Sequence, residues 1–109
     1  HKSPVDRYLK GDKKALSPLA VKGMNTFQTI GCTMCHSGPN YSGPAMPPGQ
    51  GFFMKFPLIA GSPYEAQYQL TKDLGRYEVT KQDSDRNLWR VPSLRNVART
   101  APYFHNGSV

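Results

Sequence analysis

The apolar positions of this chain fall into short groups separated by polar and glycine- or proline-containing stretches. Ser17 is a good N-cap residue and Pro18 suits the first helical position; Leu19, Gly23, Met24 and Phe27 then give a rough stripe at helical spacing. The pattern predicts a helix over about residues 18–30 that delivers the chain to Gly31, where a free φ suits a turn. A second start signal, Ser62-Pro63-Tyr64-Glu65, joins a capping box to a proline at the first helical position. It predicts a helix from Pro63 to about Leu74, closed by Gly75. A short helix from Pro92 to about Arg99 is the last clear element. Residues 37–61 are rich in Gly and Pro and read as a loop, with Phe52, Phe53 and Phe56 as packing candidates. Nothing in the pattern argues for a sheet or an internal repeat, so the expected class is all-α with long Gly/Pro-rich loops.

Between the first helix and that loop lies Cys32-Thr33-Met34-Cys35-His36, the attachment signature of c-type haem. Two thiols three residues apart on one turn can each form a thioether with a porphyrin vinyl group. The adjacent imidazole then falls beneath the iron, which makes His36 the candidate proximal ligand. Ser37-Gly38-Pro39 ends any helical turn through the motif.

Length changes the weight of this reading. At 109 residues the chain is one domain, small enough to have a thin apolar core, and ten Gly and ten Pro point away from long helices. A haem buried among loops adds what such a core lacks. Cys32 and Cys35 are the only cysteines, so a disulfide would destroy the haem site. Bacteria attach haem through thioethers outside the cytoplasm, so a periplasmic location follows from the motif. No apolar leader segment is visible after His1, and no apolar run approaches a membrane span; the expectation is a mature form or a piece of a longer chain.

Competing chemistries fare worse. Zinc needs four ligands, and the chain offers Cys32, Cys35 and the scattered His1, His36 and His105; Cys35 and His36, as neighbours, do not easily share one tetrahedral cage. A thioredoxin-like dithiol needs a βαβ setting. The formal charge is +7, with six basic and two acidic side chains in residues 1–22 and with no acidic residue between Arg86, Arg90, Arg95 and Arg99. Such a surface either steers an acidic protein partner or solvates the domain. No nucleic-acid recognition motif accompanies it. For a second axial ligand the residues offer Met24, Met34, Met46 and Met54; Met34 sits inside the motif and cannot cross the ring, Met24 and Met54 read as packing, and Met46 is the in-chain candidate.

The stretch from Trp89 to Ser108, WRVPSLRNVARTAPYFHNGS, resembles the signature of the bacterial dihaem cytochrome c peroxidases and their MauG-like relatives. Asp73-Leu74-Gly75-Arg76, Val79-Thr80 and Asp85-Arg86-Asn87 match the approach to it. Asp6-Arg7-Tyr8-Leu9-Lys10-Gly11-Asp12, followed by Gly31, the haem motif and Ser37-Gly38-Pro39, matches the start of the family's second haem domain. The resemblance implies a cytochrome c-like haem domain, the C-terminal electron-transfer half of a two-haem enzyme. A small donor protein, a cytochrome c or a cupredoxin, would reduce its haem. The electron would pass to a haem in an N-terminal peroxidatic domain that reduces hydrogen peroxide to water.

Carried over residue by residue, the resemblance assigns Cys32 and Cys35 to haem attachment and His36 to the proximal position. It assigns the backbone carbonyls of Thr100 and Pro102 to a calcium ion between the two domains, and carbonyl oxygens are suitable ligands for calcium. Arg95 is a candidate partner of a haem propionate, the alternative being a surface arginine. His105 is a candidate hydrogen-bonding residue near the propionates or the domain interface, and Trp89 is expected to pack near the haem. The family's distal methionine lies beyond the position of Val109, which leaves Met46 as the in-chain alternative, and the peroxidatic haem motif is not in these 109 residues. The chain is therefore expected to be one part of a longer peroxidase, with a homodimer left open. A monohaem electron carrier and a MauG-like oxidase are the alternatives.

Overall fold

A computed structural model describes residues 2–109; His1, one of the candidate zinc ligands, lies outside them. The chain divides into two compact units, His1–Thr33 and Met34–Val109.

The first unit holds two helices. α1 spans Pro4–Leu9 and is closed at its start by a complete capping box: Ser3 Oγ accepts from the Asp6 amide, and Asp6 accepts from the Ser3 amide. The Ser-Pro-x-Asp signal for it is present at residues 3–6, but six residues are too few to register as a periodic stripe. α2 spans Pro18–Thr29, as its start signal predicts, with Ser17 Oγ accepting from the Ala20 amide at 3.1 Å. Ile30 is its C-cap rather than its last residue, and Gly31 at φ +93° turns the chain out of it.

The second unit is built around a two-stranded antiparallel ribbon, which corrects the expectation of no sheet. β1 (Phe53–Lys55) pairs with β2 (Leu88–Arg90) in the register Phe53 with Arg90, Met54 with Trp89 and Lys55 with Leu88. Further backbone bonds lengthen it, from Val91 N to Phe52 O at 2.8 Å and from Phe56 N to Asn87 O at 2.9 Å. Three-residue strands leave too little alternation to detect. The Asp73–Arg76 segment runs beside β2: Asn87 N donates to Leu74 O at 2.8 Å and Arg76 N to Leu88 O at 2.9 Å. This approach demands Gly75, at φ +63°, because a Cβ there would lie 2.6 Å from Leu88 O and 2.9 Å from Trp89 Cε2.

Two predicted helices are shorter than expected. α3 spans only Pro63–Gln67; Gln69 turns left-handed at φ +52°, and Leu70 N returns to Glu65 O, which drops Leu70 into the interior at 5% exposure. The residues after Pro92 form one 3₁₀ turn, Val97–Arg99, because Ser93 Oγ takes the Arg95 amide and Asn96 adopts φ +58°. α4 (Tyr77–Thr80) and a 3₁₀ turn at Asp83–Asp85 complete the unit. Asp85 ties them together, accepting from Thr80 Oγ1 at 2.6 Å and facing Arg76 Nε at 3.5 Å.

Packing is sparse. Leu70 and Val91 are the buried hydrophobic residues among those described, and no side chain is completely enclosed. The fold is mostly helical with one short ribbon, and its interior is too small to account for a stable domain by apolar burial alone.

Candidate functional site

The haem motif follows directly on α2, with Cys32–Met34 forming a 3₁₀ turn. The boundary between the two units falls inside it, so Cys32 belongs to the first and Cys35 and His36 to the second. Both cysteines are free and half-buried, the state needed for attack on a vinyl group. Met34, between them, is largely exposed.

His36 is the most constrained of the candidates. Its Nδ1 lies 2.9 Å from the Tyr41 carbonyl oxygen. A carbonyl only accepts, so Nδ1 carries the proton and Nε2 keeps its lone pair. That is the tautomer an iron ligand requires, with the ring plane fixed by its outer bond. The loop from His36 to Gly43 that carries the Tyr41 carbonyl depends on glycines: Gly38 at φ +73° and Gly43 at φ +109°, where a Cβ would lie 2.4 Å from Phe52 Cδ1. Gly43 N donates to Ser37 O at 3.2 Å and Tyr41 N to Gly38 O at 3.1 Å. Sequence reading did not single out Tyr41, whose backbone oxygen rather than side chain does the work.

Trp89 and His105 come together although sixteen positions apart. Their rings stack with centroids 4.4 Å apart, and Phe56 meets His105 edge-on at 5.6 Å. Trp89 Nε1 and both nitrogens of His105 are buried without a partner among the described residues. Buried polar atoms are rarely left so, which makes this pair a place for an acceptor supplied by another group. Arg95 Nε donates to the Pro39 carbonyl at 2.7 Å and its guanidinium lies 5.6 Å from the Tyr41 ring centre. Thr100 and Pro102 are exposed, and Tyr103 beside them donates its hydroxyl to Val97 O at 2.6 Å. No group of three or more His, Cys, Asp or Glu among the described residues is arranged to hold a metal ion.

Met46 lies exposed among its prolines, and Met54 sits in β1 opposite Trp89. A cavity is lined by residues including Phe53, Gly75, Arg76, Trp89 and Arg90, and neither the cysteines nor His36 line it. Arg86 is engaged at the surface with Asp83 at 3.0 Å and over the Tyr77 ring. No helix among the described residues is long and apolar enough to cross a membrane.

Two free thiols, an adjacent imidazole locked in the ligating tautomer, orphaned buried donors and a thin core fit a protein that takes up a c-type haem. Comparison with known proteins agrees. The chain is 44% identical over 107 residues to cytochrome c551 peroxidase of Pseudomonas aeruginosa and 39% identical over 105 residues to cytochrome c551 peroxidase of Nitrosomonas europaea. These alignments cover 98% and 96% of the chain and 28% of each relative. The methylamine utilization protein MauG of Methylophilus methylotrophus is more distant, at 29% over 112 residues, 98% of the chain and 28% of that protein. No protein-family model matches the chain. Over nearly its whole length the chain is homologous to one part of the cytochrome c peroxidases, and it spans about 28% of their length.

Proposed function

We propose that these residues form the electron-transfer haem c domain of a dihaem cytochrome c peroxidase. The observation that carries the reading is the bond from His36 Nδ1 to the Tyr41 carbonyl beside two free motif cysteines, in a chain 44% identical to a cytochrome c551 peroxidase. The greater identity to the peroxidases than to MauG favours this over an oxidase of the MauG kind.

Cys32 and Cys35 would hold the haem covalently, and His36 Nε2 would ligate its iron. When bound, the haem supplies a one-electron iron couple. The chain's own residues orient that couple: the Tyr41 carbonyl fixes the imidazole, while Trp89 Nε1 and His105 offer donors suited to a propionate. Arg95 Nε holds the Pro39 carbonyl of the loop. By the resemblance, the second ligand to the iron would be a methionine beyond the position of Val109, with Met46, which lies exposed, as the in-chain alternative. Thr100 and Pro102 contribute backbone carbonyls to a calcium ion shared with the N-terminal domain.

In the complete enzyme a small donor protein, a cytochrome c or cupredoxin, passes electrons through this domain to the peroxidatic haem, and the enzyme works in the periplasm. The test is steady-state oxidation of reduced donor by hydrogen peroxide with the full-length protein. Peroxide-dependent oxidation that fails in the His36→Ala variant is expected. Full turnover in that variant, or donor oxidation independent of peroxide, contradicts the reading.

A further inference from the structure

The loop that carries the Tyr41 carbonyl is held from outside by one short segment more than fifty residues away. Ser93 Oγ donates to the Asn40 carbonyl at 2.6 Å, and Arg95 Nε donates to the Pro39 carbonyl at 2.7 Å. The Arg95 guanidinium also faces the Tyr41 ring, 5.6 Å from its centre. Three consecutive residues, 39 to 41, are thus each engaged by residues 93 and 95. The two donors act as one piece, because Ser93 Oγ accepts the Arg95 amide at 3.2 Å.

The loop needs such restraint. Tyr41 sits at φ +52°, a region sparsely populated by residues with a side chain. Its carbonyl direction follows from that backbone angle, and the carbonyl is the acceptor for His36 Nδ1 at 2.9 Å. A strong bond at Nδ1 pushes electron density toward Nε2, favours the ferric state of a bound iron and lowers its reduction potential. A loosened carbonyl does the reverse.

We propose that Ser93 and Arg95 are positioning residues for the iron-binding imidazole, clamping the 39–41 turn so that the Tyr41 carbonyl stays aimed at His36. The inference rests on the haem reading above. Both clamp bonds are solvent-accessible, so their loss is expected to act on the iron more than on the fold.

The experiment uses the full-length, haem-loaded protein and an optical redox titration of this haem, with haem content and melting midpoint measured in parallel. Ser93→Ala and Arg95→Lys, neither of which changes net charge, raise the potential at unchanged haem content. Ser93→Thr, which keeps the hydroxyl, restores the wild-type value. Unchanged potentials in both Ser93→Ala and Arg95→Lys, or equal shifts in Ser93→Ala and Ser93→Thr, overturn the proposal. If Arg95→Lys loses haem, the two Ser93 variants decide alone. Wild-type protein with no haem on Cys32 and Cys35 overturns the haem reading itself, and the clamp falls with it.

Discussion

Trp89 stacks on His105 with ring planes 28° apart, and not one of the three ring nitrogens finds a partner within the described chain. The stack joins β2 to the C-terminal segment, which is also tied by Asn106 Nδ2 donating to the Tyr68 carbonyl at 2.8 Å. With so little buried elsewhere, Trp89 carries a large share of the packing. Trp89→Ala is expected to destabilise the haem-loaded protein by about 3–5 kcal/mol in denaturant unfolding, whereas Trp89→Phe keeps the stack and retains most of that. An unfolding midpoint unmoved by the alanine would mean that the stack contributes nothing to stability.

The two crowded glycines give a sharper steric test. Gly75 approaches β2 backbone and indole, and Gly43 meets the Phe52 ring, each at positive φ. Gly75→Ala and Gly43→Ala are each expected to lose roughly 1–3 kcal/mol, since strain at φ adds to the clash. Gly11, also at positive φ but with open space around it, serves as the control, and Gly11→Ala should fall at the low end of that range. Equal losses at all three positions would mean that backbone strain alone is being measured.

How much of this was readable in the residues follows from where each signal sits. Ser17-Pro18 and Ser62-Pro63 are local instructions, and both helices begin where they say. The end of α3 is not local: burial of Leu70 and the left-handed Gln69 stop it seven residues before Leu74. The ribbon was illegible because Phe53–Lys55 and Leu88–Arg90 are each too short to alternate visibly, and a pairing across more than thirty residues has no sequence period. At the site, Cys32, Cys35 and His36 were legible as a contiguous motif. Tyr41 and Ser93 were not, since one acts through its carbonyl and the other reaches Asn40 only after the chain has folded back.

His36→Ala separates attachment from ligation. The thioethers at Cys32 and Cys35 should persist, so haem content stays near wild type. Without the imidazole the normal reduction potential of this haem should be lost, and its reduction by the donor protein should fall by orders of magnitude. Optical spectra in both oxidation states and stopped-flow reduction read the two effects. A wild-type potential in that variant would assign the proximal position to another residue.

Calcium has a separate signature. The proposed ligands are the backbone carbonyls of Thr100 and Pro102, and no group of three or more His, Cys, Asp or Glu among the described residues is arranged to hold a metal ion, so the proposed ion would hold this domain to another. Chelation of the full-length enzyme is expected to lower peroxidase activity and the melting temperature, with recovery on adding calcium back. Activity and melting unchanged after complete chelation would remove the ion from the account.

The most direct test of the central claim is the intact mass of the full-length polypeptide together with its haem count from a pyridine haemochrome spectrum and the mass of the peptide that spans Cys32 and Cys35. Two covalent haems per chain, one of them on that peptide, are predicted. A peptide recovered at its unmodified mass, with both thiols free, would contradict the claim that Cys32 and Cys35 anchor a haem beneath which His36 binds iron.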